Sequence, residues 1–476
     1  MDLHPKESES ATGVLEKTAS TSSDANAAAP FEVPDGGFVA WRTVAGAWLV
    51  LFGTFGYAYT FGVYEDYYVR VFLPKHSPSS IAWIGSFQLM MPFLLGPIAG
   101  KIFDDGGFYM LEAVGCTIFT LSCAAFLLLQ TPDPSANLHL SSSSVFMLSL
   151  CKPGQYYQVF LAQAVGMGIG LGLTFLPTIS IVVHHFKRHR GLTSGIVMSG
   201  SSIGATVFPI SAKIFFRTVS PRANHFFHAT SHLLPRFGFA KTIRYSGAIV
   251  PPVLVLGNLM MRTRLPPRSK RGGNAAPPNI KSFFSDAPYM IAILGMFLGL
   301  LGLYFPLIYI QLFSVQHSVD STLAFYSLSI LNAAGAFVRV LGNHWADIWG
   351  PFNVQVGCSV GAGAIIWAML GIHNGGSLVV ISILYGAFSS AYLALAFACF
   401  ASLAKGPEEV GARAGLALAL CSIGTLVSAP IQGALLTDSY HWIRPVAFSA
   451  TMTFVSGALF FVTRTLHTRV TGSWRA

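Results

Sequence analysis

The chain has 476 residues, of which 53% are hydrophobic and only 10% charged, with a mean hydropathy of +0.58. An ordinary soluble domain carries roughly 25% charged residues, so this composition excludes a water-soluble globular protein. The net charge of +10 comes from 29 Lys and Arg against 19 Asp and Glu. A nucleic-acid binder gathers such charge on one face, whereas here it sits between apolar runs, so it is read as a topology signal, with the lipid bilayer as partner and no nucleic acid.

Residues 1–34 mix Ser, Thr, Ala and Glu without an apolar core segment, which predicts a disordered cytosolic tail and excludes a signal peptide. A helical crossing of a ~30 Å hydrocarbon core takes about 20 apolar residues. Apolar segments of that kind fall at 41–64, 80–103, 108–130, 156–183, 191–215, 243–262, 287–312, 322–345, 352–371, 377–402, 412–435 and 442–463. The chain therefore reads as an all-α membrane protein with twelve transmembrane helices.

Lys and Arg in the short loops set its orientation. Lys187, Arg188 and Arg190 follow the fourth segment, Arg262 to Lys281 separate the sixth from the seventh, and Arg464 to Arg475 close the chain, so both termini are expected in the cytosol. The connection between the fifth and sixth segments is the exception, being basic on the outer side. Its residues 218–232 read as neither helix nor tight turn, and a true loop, an insertion and a gene-model error all fit them. The six cysteines, Cys116, Cys123, Cys151, Cys358, Cys399 and Cys421, lie mostly in apolar runs without paired spacing. They are expected to pack facing the membrane, with no disulfide framework and no metal site.

The two sides of the chain repeat one another. Asp104-Asp105-Gly106-Gly107 after the second segment matches Asp347-Ile348-Trp349-Gly350 after the eighth, a displacement of 243 from 104 to 347. Ser202-Ile203-Gly204 with Pro209 matches Ser422-Ile423-Gly424 with Pro430, a displacement of 220 from 204 to 424. The mismatch fits the polar stretch 131–155, which has no counterpart between the ninth and tenth segments. The expected organisation is a six-helix bundle over 35–262, a cytosolic loop over 263–286, a second bundle over 287–463 and a cytosolic tail over 464–476. Two pseudo-symmetric bundles place a solute path between them, opened to each side in turn by rocking.

Asp35-Gly36-Gly37-Phe38 with Trp41, leading into the first helix, resembles the first signature of the monocarboxylate transporter family within the major facilitator superfamily. Phe186-Lys187-Arg188-His189-Arg190-Gly191-Leu192, through Gly195, resembles its second. The wording Pro34-Asp35-Gly36-Gly37-Phe38 and Met261-Arg262-Thr263-Arg264-Leu265-Pro266 looks most like the fungal branch, which includes uptake porters for small organic acids or vitamins and pumps linked to secondary-metabolite pathways. The resemblance implies the major facilitator fold, a small-molecule solute, a proton as candidate co-transported ion, and no cofactor. It also implies gating acids at Asp104 and Asp347, with Lys187, Arg188 and Arg190 as basic neighbours, and a substrate-binding arginine at Arg339.

Read from the residues alone, Gly36 and Gly37 permit a tight approach, and Phe38 and Trp41 sit at headgroup depth. Asp104 and Asp347 either latch one face shut or merely cap helices. Arg339 costs at least ~2.5–3.5 kcal/mol at midplane on insertion scales, so it is functional unless it snorkels to the inner surface. Its guanidinium fork suits a carboxylate. Tyr59, Asn332, Tyr304, Gln163 and Tyr385 are candidate cavity residues, with Tyr57, Gln88 and Tyr392 behind them; each is also an ordinary packing group. Gly166 to Gly172 supply Gly-xxx-Gly pairs for close helix contact rather than a phosphate loop.

Departures from the family pattern touch proton coupling. Gly335 stands where animal members place an Asp one turn before the arginine, and Tyr59 falls near the family's first-helix Lys. Glu65, Asp66, Glu112, His184 and His185 are the remaining candidates for a coupled proton. No HExxH, GxSxG or carboxylate cluster is present, so an enzyme is not expected. A carboxylate-bearing metabolite is the expected solute, with efflux of a secondary metabolite as the alternative and a non-transporting sensor as the remote one. A monomer in the plasma membrane is expected, with the vacuolar membrane as a second location.

Overall fold

The computed structural model describes residues 35–61, 68, 73, 75–129, 155–186, 189–219, 247–264, 280–404, 409–437 and 440–472. The expected tail over 1–34, the stretch 220–246, Cys151, Glu65, Asp66, Lys187 and Arg188 lie outside them. In chain order the helices are α1 (Phe38–Ala58), α2 (Ser79–Asp104), α3 (Phe108–Leu129), α4 (Tyr156–Ser180), α5 (Arg190–Val219), α6 (Val250–Met260), α7 (Ala287–Gln316), α8 (Ser321–Trp349), α9 (Pro351–Gly371), α10 (Gly375–Ser402), α11 (Val410–Leu436) and α12 (Ile443–Thr471). Nine of these are long and apolar enough to cross a membrane, and two shorter apolar stretches, Phe108–Cys123 and Val250–Met260, fall in the third and sixth places.

Local chemistry sets the helix starts. Ser77 accepts from the Ser80 amide ahead of α2, Asp320 from Leu323 ahead of α8, and Asn374 forms a capping box with Ser377 ahead of α10. The helix α4 is the irregular one: Phe160–Met167 is π-helical, Pro177 removes an amide donor, and Ile181–His184 closes as a 3-10 turn.

Packing follows a two-fold pattern. In the first half α1 lies against α5 and α6, α3 against α4, and α4 against α2; in the second α7 lies against α11 and α12, α9 against α10, and α10 against α8. Adding six to each helix number turns the first set into the second. Two hydrophobic clusters result, one built from residues of α1–α6 with Ala394, the other from α7–α12. The halves meet along two seams, α5 on α8 and α2 on α11, which the same operation exchanges. Within the first half, α1 and α5 approach closely at Gly56 and Gly204, where a Cβ on either would stand 2.6 or 2.7 Å from the other's Cα.

Two expectations are corrected. Cys116, Cys123, Cys358, Cys399 and Cys421 are unpaired, as expected, but they are buried within the protein and do not face the membrane. Gly36 and Gly37 have open space around them; what they supply is backbone at φ 150° and 98°, beside Asp35 at φ 47°.

Candidate functional site between the halves

The cleft between the halves is lined by Phe61, Ala82, Gly85, Ser86 and Leu89 from the first half and Tyr304, Ile308, Thr425 and Ala429 from the second. No charged side chain lines it. Its cavity is about 30 Å³, against ~300–1,000 Å³ for a small-molecule pocket, so this space is too small to hold a metabolite in this conformation. Thr425 is 2% exposed, with Tyr304 beside its hydroxyl.

Arg339 sits in the α5–α8 seam at 5% exposure. It does not snorkel. Its Nη1 donates to the Met198 carbonyl at 3.2 Å and to Ser201 Oγ at 2.5 Å, both on α5, while Nε is buried without a partner. The ion pairs among the described residues belong to Arg413, so Arg339 is a buried cation without a carboxylate. Tyr304 on α7 lies within electrostatic reach of Arg339 and of Tyr59 on α1, and Tyr385 lies within reach of Tyr304.

Arg339, Tyr59, Tyr304 and Tyr385 therefore converge, although not all have free polar atoms. The Tyr385 hydroxyl donates to the Leu303 carbonyl and ties α10 to α7. Asn332 donates to the Leu328 carbonyl one turn back, 2.9 Å away. Gln163 accepts from the Tyr68 hydroxyl at 2.8 Å inside the first half. Gln88, 1% exposed, has neither amide atom paired.

At the ends of the seams that the charge rule puts in the cytosol, the two repeated acids face helix N-termini of the opposite half. Asp347 accepts from the backbone amides of Gly191 and Leu192 at the start of α5, with His189 and His344 nearby. Asp104 lies beside Gly411 at the start of α11, where a Cβ would stand 3.4 Å from its carboxylate. Gly191 and Gly411 are themselves 220 positions apart, so the second repeat displacement recurs in these contacts. Arg190 at the start of α5 donates from Nε to the Phe186 carbonyl at 3.0 Å. The two sequence signatures touch, because Trp41 packs edge-on against Phe186 with centroids 5.4 Å apart.

One site was missed at the sequence level. Arg413 on α11, 1% exposed, pairs with Asp286 at 2.6 Å and Glu409 at 2.9 Å and lies over the rings of Phe283 and Tyr289. Asp286 precedes α7 as Asp35 precedes α1, and that likeness was the available signal. In the first half, residues 261–264 are pinned after α6: the Arg262 amide donates to Thr43 Oγ1 at 3.3 Å, the Thr263 amide to the Tyr109 hydroxyl at 3.2 Å, and His185 Nε2 meets the Arg262 carbonyl at 2.8 Å. Burial holds the His185 imidazole below its ordinary pKa, with the Arg262 carbonyl opposing and Arg264 reinforcing that shift.

Among known proteins, the profile of the Major Facilitator Superfamily matches residues 43–381. The chain is 32% identical over 428 residues to the aspyridones efflux protein of Emericella nidulans, covering 90% of this chain and 78% of that one. It is 30% identical over 420 residues to the agnestins efflux protein of Paecilomyces divaricatus, covering 88% and 86%. Among solved structures it is similar to a D-xylose–proton symporter at a TM-score of 0.62 and 14% identity, covering 89% and 97%, and to the fucose–proton symporter of E. coli at 0.59 and 12%, covering 89% and 98%. Helix order, the paired seams and these matches agree: the chain belongs to the Major Facilitator Superfamily and is a multi-pass membrane transporter, not an enzyme.

Proposed function

We propose that this transporter exports a largely apolar, oxygen-bearing metabolite by alternating access. The observation that carries the proposal is the cleft, whose lining is aliphatic, aromatic and hydroxyl-bearing and includes no charge. A small carboxylate gains little from such walls, whereas a ring system with a few oxygens buries apolar area there and finds Ser86, Tyr304 and Thr425 as hydrogen-bonding partners. The relatives named as efflux proteins for aspyridones and agnestins support the same direction. Both signatures support placement in the fungal monocarboxylate-transporter-like branch, and a monomer in the plasma membrane suits export.

In this mechanism the cytosolic latches, Asp347 of α8 against α5 and Asp104 of α2 against α11, hold the inner side shut and release as the halves rock. Arg339 spends Nη1 on α5 and keeps Nε unpaired, and the unpaired Nε is the argument for a second reading in which the cargo carries an acidic oxygen.

The test uses purified protein in lipid vesicles, with the host's secreted metabolites and a panel of small carboxylates added together and followed by mass spectrometry. Accumulation of apolar metabolites, reduced by Thr425→Trp in the cleft, is the expected result. Movement of small carboxylates alone overturns the proposal.

A further inference from the structure

Glu112 is the buried carboxyl that the transport path does not use. It lies on α3 at 0% exposure, and no Lys, Arg or His pairs with it among the described residues. Three helices close around it. Its Oε1 is 2.7 Å from Thr178 Oγ1 on α4, and its Oε2 is 3.9 Å from Cys116 Sγ one turn along α3. Cys116 Sγ in turn accepts from Asn258 Nδ2 on α6 at 3.2 Å.

The surroundings set the state of the carboxyl. Thr178 Oγ1 also lies 2.6 Å from the Thr174 carbonyl oxygen, so a carboxylate here would have to share the one Thr178 hydrogen with that carbonyl. A fully buried anion with half of one hydroxyl donor, a thiol and no cation is costly, and protonation of Glu112 removes that cost and supplies a second hydrogen. The chain then runs in one direction, from the Glu112 O–H to Thr178 Oγ1 and from the Thr178 O–H to the Thr174 carbonyl. On the other oxygen, Asn258 donates to Cys116 and the Cys116 S–H points to Oε2, so each group is used once.

We propose that Glu112 is a proton-binding site of the first half, occupied in this conformation, and that its occupancy reports cytosolic pH to the latch at Asp347. Glu112 lies four residues into α3, about 6 Å along a helix that rises 1.5 Å per residue, and so close to the cytosolic end. Loss of the proton breaks the Glu112 O–H bond and passes H⁺ to a water molecule from that side. The carboxylate left behind claims the one Thr178 hydrogen, the Thr174 carbonyl loses its donor, and an unpaired anion stands between α3 and α4. The helix α4 is built to yield there, with Pro177 beside Thr178 and the 3-10 turn Ile181–His184 beyond. That turn leads through Phe186, held by Arg190, to Gly191 and Leu192 under Asp347. The groups facing Glu112 are Cys116 from α3 and Thr178 from α4, with Asn258 of α6 behind Cys116; His184 and His185 follow at the end of α4.

This inference rests on the transport proposal only for its consequence. The protonation itself is read by infrared difference spectroscopy of the purified protein in lipid at neutral pH, where a protonated-carboxyl C=O band that disappears in Glu112→Gln is expected. No such band, or one unchanged by Glu112→Gln, overturns the proposal. In vesicles, export by the wild type is expected to fall as the pH on the cytosolic side rises, and Glu112→Gln, which replaces the O–H donor by N–H, is expected to export without that dependence. A wild type and a Glu112→Gln variant that export with the same pH dependence also overturn it. A protein showing the band but moving no metabolite would contradict the export proposal and support proton binding at Glu112.

Discussion

Asp347 at the end of α8 and Gly191 at the start of α5 are in direct contact, and a Cβ on Gly191 would collide with both carboxylate oxygens. The carboxylate accepts from the first amides of α5, where the helix dipole is positive, so the contact joins the halves by charge-assisted hydrogen bonds. Such bonds contribute roughly 1.5–3 kcal/mol each. Gly191→Ala is expected to open the inner side. Labelling of a cysteine placed at Asn343, which is buried in the same seam, is expected to speed up about tenfold, the equivalent of 1.4 kcal/mol.

Arg339 is held by a carbonyl and a hydroxyl but by no carboxylate, an arrangement that costs stability and that the second reading of the transport proposal assigns to the cargo. Arg339→Met is therefore expected to leave the melting temperature unchanged or raised, while transport of cargo bearing an acidic oxygen is lost. A lower melting temperature with unaltered transport would show that the arginine only ties α8 to α5.

Arg413 is the opposite case. Removing it leaves Asp286 and Glu409 facing each other beside two aromatic rings. Breaking a buried pair costs about 3–5 kcal/mol, and because the two carboxylates are 18% and 20% exposed the expected loss for Arg413→Met is roughly 2–3 kcal/mol. Thermal unfolding in detergent measures it. Arg413→Met with Asp286→Asn is expected to recover part of the loss.

His185 sets a pH dependence at the other end of the central loop. Burial depresses its pKa in the fold, so the unfolded chain binds the proton more readily, and the contribution is intact above the unfolded value of about 6.5 and is lost as pH falls below it. The protection factor of the Thr263 amide is expected to fall on acidification in the wild type. In His185→Gln, which keeps a side-chain donor for the Arg262 carbonyl, that fall is expected to vanish.

Hydropathy alone located the helices, because a crossing needs a length of apolar chain that few other structures need. The repeat of Asp104 and Asp347 also marked two equivalent contacts with helix starts of the opposite half, since duplication keeps residue types at equivalent places. Contacts across helices were not legible in the same way. Trp41 and Phe186 are 145 positions apart in the chain (41 to 186) and meet only when α1 and α5 pack. Asn332, Gln163 and Tyr385 stood out as polar groups in apolar runs, yet each spends its hydrogen bond within its own half. Arg413 stands in sequence as one charge near a helix start, and its burial depends on Phe283 and Tyr289 folding over it.

Rocking of two halves about the seams is tested most directly by distances between spin labels at Asp105 and Trp349, exposed at the inner ends of α2 and α8. The account predicts a single short distance in the free protein and a second, longer population when an exported metabolite is added, with the Gly191→Ala variant showing the longer population already without it. One distance, unmoved by metabolite and by Gly191→Ala while the same preparation transports, would contradict it.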